Sequence, residues 1–185
     1  NTYKKTNPQG FVPALIDRSV KVGQYLAIIE YLDESHDGPK MVHGSARQKA
    51  YTRQLALLIA CEISPLNNPK VWKGYVGKTL NASDKQSQAW YAHWIMEGFR
   101  AYEAILNRGD FISRFSCGDE PSLADLCLIP QTYNARRFNV NLESFPEICR
   151  IEQNCLALDA FQKAVAQQRG EYGRTSCACS HQLVL

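Results

Sequence analysis

From Ser122 to Ile129 the chain reads Ser-Leu-Ala-Asp-Leu-Cys-Leu-Ile, apolar on every face once past its first residue, with an acid three positions after the serine. That spacing is a capping box. The Asp125 carboxylate can take the backbone N–H of Ser122 while the serine hydroxyl takes the N–H three residues on, so donors left bare at a helix start are met locally. A helix apolar all round is buried on all sides rather than laid on a surface. Pro130 removes one helical hydrogen bond and is expected to kink it. Two adjacent guanidinium groups, Arg136 and Arg137, follow at the far end. The stretch is either the central core helix or a core helix that also walls a binding site.

Around it, Phe11–Asp17 and Arg18–Val22 read as two short strands joined by a tight turn at Asp17 and Arg18. Pro13 in the first is an edge-strand proline or, after Val12, a cis peptide. Gly23-Gln24-Tyr25 opens a helix carrying Leu26, Ile28, Ile29 and Leu32 to about Ser35. A helix that starts straight after a strand offers unpaired N–H groups to a carboxylate or phosphate. Residues 38–44, rich in turn formers, are expected to be a linker. Beyond Ser45 the apolar period is helical: Tyr51 to Ile63, a bend at Pro65–Pro69, then Ser83 to Asn107 with the stripe Trp90, Tyr91, Trp94, Ile95, Gly98, Phe99 and Tyr102. Such an aromatic stripe is read as core. Two amphipathic helices follow, marked by Phe145 to Cys155 and by Leu158 to Val165.

A chain of 185 residues buries roughly 70% of its unfolded surface, so a normal core is available. A net charge of +3 without a basic stripe argues against nucleic acid. No apolar segment approaches the about 20 residues that cross a bilayer, and the amino end has no leader-like stretch. The seven cysteines are an odd number, mostly inside helical patterns, which suggests free thiols in the cytoplasm. Cys177, Cys179 and His181 place three soft ligands near the end, in a polar tail over 169–185, where a metal site is not expected.

Five motifs together closely resemble the zeta class of the glutathione transferases, which includes the maleylacetoacetate and maleylpyruvate isomerases. They are Asn7-Pro-x-Gly-x-Val-Pro-Ala-Leu15, Gln24-x-Leu-Ala-Ile-Ile-Glu-Tyr-Leu-Asp-Glu34, Ile63-x-Pro-Leu-Asn-Asn68, Gly118-Asp-Glu-Pro-Ser-Leu-Ala-Asp125 and Pro130-Gln-x-x-Asn-Ala-x-Arg-Phe138. The resemblance implies an α+β, mostly α fold: a partial thioredoxin-like α/β domain over 1–37, then the all-α glutathione-transferase C-terminal domain over 45–168. It also implies a cytoplasmic homodimer in which domains of different subunits pack together.

The class plan includes a first β-α-β unit with a Ser-Ser-x-x-x-Arg loop that activates the glutathione thiol. This sequence has no counterpart of that unit and no Ser-Ser pair, so no catalytic residue is assigned, and the protein is expected to be truncated or the sequence to be part of a longer one. The class reaction adds glutathione thiolate to a cis double bond conjugated to a ketone, rotates the resulting single bond and eliminates to the trans isomer. On this resemblance the glutathione positions are Val12, Gln24, Tyr25, Ser64, Asn68, Pro69 and Lys70. Tyr25 departs from the class serine, Ser64 from its Gln or His, and Pro69 and Lys70 are altered too. Arg137 is implied as the clamp on a substrate carboxylate, with Arg136 as its helper or a surface residue. Two readings stand: a glutathione-dependent cis–trans isomerase of an unsaturated diacid, or a related transferase, and a non-catalytic relative kept as a dimerising or ligand-binding scaffold.

Overall fold

The computed structural model describes residues 3–168 and 181–184. They fall into two compact units, one made of the described residues within Asn1–Met41 and Lys163–Leu185, the other of Val42–Gln162.

The first unit starts with a short helix, α1 (Tyr3–Thr6), followed by strands β1 (Ala14–Asp17) and β2 (Val20–Gly23) and helix α2 (Tyr25–Ser35). β1 and β2 form an antiparallel hairpin with Asp17 opposite Val20 and Ala14 opposite Gly23. The turn between them needs a left-handed residue, and Arg18 supplies it at φ 53°. β1 is shorter than the expected Phe11–Asp17 because Pro13, which follows a cis peptide from Val12, has no N–H to give a ladder. Within the stretch read as a polar tail, His181–Val184 forms β3, antiparallel to β1, giving the order β2-β1-β3. Cys177 and Cys179 lie outside the described residues. α2 covers the hairpin through the buried Ile28, and the Tyr31 hydroxyl donates to Asp17 Oδ2 at 2.7 Å.

The second unit is helical. Ser45 and Gln48 form a capping box that starts α3 (Ala46–Leu57), so the helix begins earlier than its first apolar marker, Tyr51. The backbone then widens into a π-helical segment, Leu58–Ile63, and after the bend carrying Pro65 and Pro69 into a second, Lys70–Thr79. α4 (Asp84–Leu106) has its own box, Ser83 with Gln86. α5 (Leu123–Arg137) runs through Pro130 and packs against α3, α4 and α6 (Pro146–Leu156); α7 is Asp159–Gln168. Leu123, Ala124, Cys127 and Leu128 are buried, as a helix apolar on every face requires.

α6 has no side chain of its own to cap it. The buried Glu103 of α4 does so from another helix, its carboxylate taking the N–H of Glu147 at 2.8 Å and of Ile148 at 3.0 Å. α4 meets the first π-helical segment at Gly98, where a Cβ would overlap Cγ1 and Cδ1 of the fully buried Ile63. Gly98→Ala should therefore cost about 2 kcal/mol by overpacking, more than the roughly 1 kcal/mol an alanine normally adds to a helix interior. A urea midpoint equal to or above that of the parent would show that Ile63 has room to move.

Candidate functional site

Of the residues marked for glutathione, Val12, Gln24 and Tyr25 belong to the first unit. Gln24, immediately before α2, is held at φ 67°, ψ 114°, a conformation that costs of order 1–3 kcal/mol and survives only when its surroundings enforce it. The enforcement is a run of side chains from the preceding loop. Tyr3 Oη and Asn7 Nδ2 both donate to the carbonyl of Phe11 (2.5 and 2.6 Å), Asn7 Oδ1 takes the N–H of Gln9 at 3.2 Å, and Gln24 Nε2 donates to Gln9 Oε1 at 2.8 Å. Asn7 also lies directly beneath Gly23, so its position is tied to the strand that leads into Gln24. α2, unlike α3 and α4, begins with no side-chain cap. Val12 is 60% exposed and makes no backbone hydrogen bond among the described residues. Exposed, unpaired backbone at Val12 and a helix start without a side-chain cap at Gln24–Tyr25 suit a short peptide with a carboxylate at one end.

Ser64, Asn68, Pro69, Lys70, Arg136 and Arg137 belong to the second unit. Ser64 ends the first π-helical segment, where its hydroxyl accepts from Gln131 Nε2 on α5 at 3.2 Å; Asn134 reaches Gln131 Oε1 at 3.5 Å. Asn68 closes the bend by accepting the N–H of Lys70 on its side-chain oxygen at 3.0 Å. Pro69 and Lys70 are exposed and open the second π-helical segment.

The two arginines, adjacent in sequence, have separate fates. Arg136 pairs with Glu152 of α6, Nε lying 3.3 Å from Oε1 and Nη2 in an ion pair with Oε2. Glu152 is buried, so this contact answers a carboxylate that would otherwise be left uncompensated. Arg137 is exposed, makes no ion pair or hydrogen bond among the described residues, and has its Cζ 5.9 Å from the centre of the Phe138 ring. Phe138 stacks on Tyr91 of α4, ring centres 3.7 Å apart and planes at 11°, and Trp72 meets both edge-on at 5.4 and 5.3 Å. The result is an uncommitted guanidinium beside an aromatic cluster, able to hold a planar carboxylate by two parallel hydrogen bonds.

Tyr91 and Trp72 were hidden within apolar patterns, since a 3.6-residue period separates buried from exposed but cannot say which ring borders an arginine. Asn7 was legible as part of a motif, though its duty as the brace behind Gln24 was not. Burial pushes the thiols of Cys117, Cys149 and Cys155 up, and that of Cys127 up to about 12, away from the thiolate a nucleophile needs.

Residues 63–159 match the family described as Glutathione S-transferase, C-terminal domain. The chain is 40% identical over 164 residues to a maleylpyruvate isomerase of Ralstonia sp, covering 89% of this chain and 77% of that protein. Among solved structures it is similar to a holo maleylpyruvate isomerase, a bacterial zeta-class glutathione S-transferase (TM-score 0.87, 38% identity, 94% of this chain and 81% of that one). It is also similar to a maleylacetoacetate isomerase of Methylobacterium extorquens AM1 solved with bound malonate and GSH (TM-score 0.86, 31% identity, 90% and 78%).

Proposed function

This chain belongs to the zeta class of the glutathione transferases, and on that footing we propose that it is a glutathione-dependent cis–trans isomerase of an unsaturated diacid of the maleylacetoacetate or maleylpyruvate type. The observation that carries the proposal is Arg137, a cation left without a partner among the described residues while its neighbour is committed to Glu152. A guanidinium kept free at the end of a buried helix is poised for a ligand's carboxylate. The dicarboxylate malonate, bound together with GSH in the solved relative from Methylobacterium extorquens, supports the same reading.

The residues present fit glutathione at its peptide end. The uncapped start of α2 can receive a carboxylate, with Gln24 braced by Gln9 beside it, and the exposed backbone of Val12 can pair with the peptide. Tyr25 stands at this start and fills space that a smaller side chain would leave open. When bound, glutathione supplies the thiol whose addition and departure turn a double bond briefly into a single one. Arg137 fixes the substrate's carboxylate and offsets the negative charge that builds beside it, and Phe138 and Tyr91 give the clamp a rigid backing.

Two copies of the chain pair in this reading, and the cytoplasm is its place. Support for pairing comes from Leu57, 46% exposed on α3, and from the half-buried, edge-to-face Trp90 and Trp94 on α4, rings 5.7 Å apart. The function is tested by mixing the full-length protein with glutathione and a maleyl-type keto diacid and following conversion to the trans isomer. Turnover that requires both protein and thiol is expected. A protein that binds neither glutathione nor malonate at millimolar concentration, and gives no turnover, overturns the proposal.

A further inference from the structure

The phenol of Tyr91 has no role in the motifs that identify the family, yet its setting is unusual for a core tyrosine. The ring is 7% exposed, stacked on Phe138 at 3.7 Å and braced from the edge by Trp72. Its main chain is pinned as well, since Asn67 Nδ2 donates to the Tyr91 carbonyl at 3.1 Å. The hydroxyl has no hydrogen-bond partner among the described residues, whereas the other deeply buried tyrosine of α4, Tyr102, reaches Ser116 Oγ at 3.0 Å. The ring on which Tyr91 stacks is the one beside which the Arg137 Cζ lies, 5.9 Å from its centre, and the burial that raises the Tyr91 phenol is opposed by the charge of Arg137. A held ring bearing an uncommitted O–H and an uncommitted guanidinium thus border the same Phe138 ring.

We propose that Tyr91 is a substrate-positioning residue, its hydroxyl donating a hydrogen bond to the same carboxylate that Arg137 holds. This rests on the isomerase reading and adds a specificity element to it. Arginine alone offers a carboxylate its two in-plane bonds, and a phenol on a fixed ring adds a third from a set direction, so only a carboxylate presented at the right angle satisfies both. Because the ring is locked by stacking before the ligand arrives, little ordering cost accompanies the bond. The contact exists with the carboxylate throughout the reaction, so it acts on binding rather than on the chemical step.

The experiment uses Tyr91→Phe, which keeps the ring and its stack and removes only the hydroxyl. Malonate binding is measured by calorimetry, and turnover of the unsaturated diacid with glutathione is measured alongside. Tyr91→Phe is expected to weaken malonate binding and raise KM about tenfold, with kcat within twofold of the parent and an unchanged thermal midpoint. In an Arg137→Ala background the same change should have no further effect, because the carboxylate is no longer brought to the phenol; a merely structural tyrosine would show no such coupling. If the parent binds malonate and Tyr91→Phe binds it equally well, the Tyr91 assignment is overturned and the isomerase reading stands. A parent that neither binds malonate nor turns over the diacid overturns the isomerase reading and this one with it.

Discussion

Asp125→Ala should remove about 4 kcal/mol of folding stability, the largest loss expected from any single side chain outside the aliphatic core. The carboxylate is fully buried and all of its hydrogen bonds are to the protein. Oδ2 takes the N–H and the hydroxyl of Ser122, each at 2.8 Å, and Oδ1 takes the N–H of Ser116 at 2.9 Å. Ser116 Oγ continues to the hydroxyl of Tyr102 at 3.0 Å, which also points to the carbonyl of Ala124 at 3.4 Å. Alanine would leave the donors of Ser116 and Ser122 without their acceptor in a fully buried region, and the start of α5 would lose its anchor. Removing the buried charge returns part of this, which is why the estimate stops near 4 kcal/mol rather than at the sum of the lost bonds. Asp125→Asn keeps the shape and one acceptor oxygen, and should fall between parent and Ala. Denaturant midpoints of the three proteins check the order. An alanine variant as stable as the parent would mean that the network is ornamental and α5 is held by apolar packing alone.

Arg137→Ala should lower kcat/KM for the unsaturated diacid about a hundredfold while leaving stability within about 0.5 kcal/mol of the parent. A bidentate, charge-assisted contact to a carboxylate supplies the loss in activity. The side chain is exposed and unpaired among the described residues, so folding loses little with it. Its neighbour gives the opposite pattern. Arg136→Ala leaves the buried Glu152 without its partner and should cost about 1–2 kcal/mol of stability, less than a fully buried pair because Arg136 is itself exposed, with kinetics near those of the parent. The pair of variants separates a ligand clamp from a structural ion pair in adjacent residues of the same type. Equal kinetics for Arg137→Ala and the parent would place the clamp elsewhere.

Much of the scaffold was readable residue by residue. The Ser122–Asp125 spacing and the all-round apolar run defined the start and burial of α5, and the tight turn expected at Asp17 and Arg18 falls one residue on, at Arg18 and Ser19. The serine boxes of α3 and α4 are equally local, but neither stands out by spacing alone, although the helical stretches themselves read from about Ser45 and Ser83. The π-helical segments could not be read, since widening of a helical turn leaves no periodic mark over so few residues. Nor could the cap of α6, because Glu103 and Glu147 are far apart in sequence and meet only when α4 and α6 pack.

The site divides along the same line. Position-specific motifs named Val12, Gln24, Asn68 and Arg137 as a set, and family membership came with them. The difference between Arg136 and Arg137, identical side chains in consecutive positions, is about 100° of rotation around one helix. That rotation turns one onto the Glu152 carboxylate and leaves the other free beside Phe138 and Tyr91. Residue type, spacing and period are properties of the chain taken one segment at a time, and by themselves they determined the start of α5, its burial and the family. Which cation is neutralised, and which phenol stands next to the one that is not, depends on what a second helix brings opposite, and that was decided only by the packing of α4, α5 and α6.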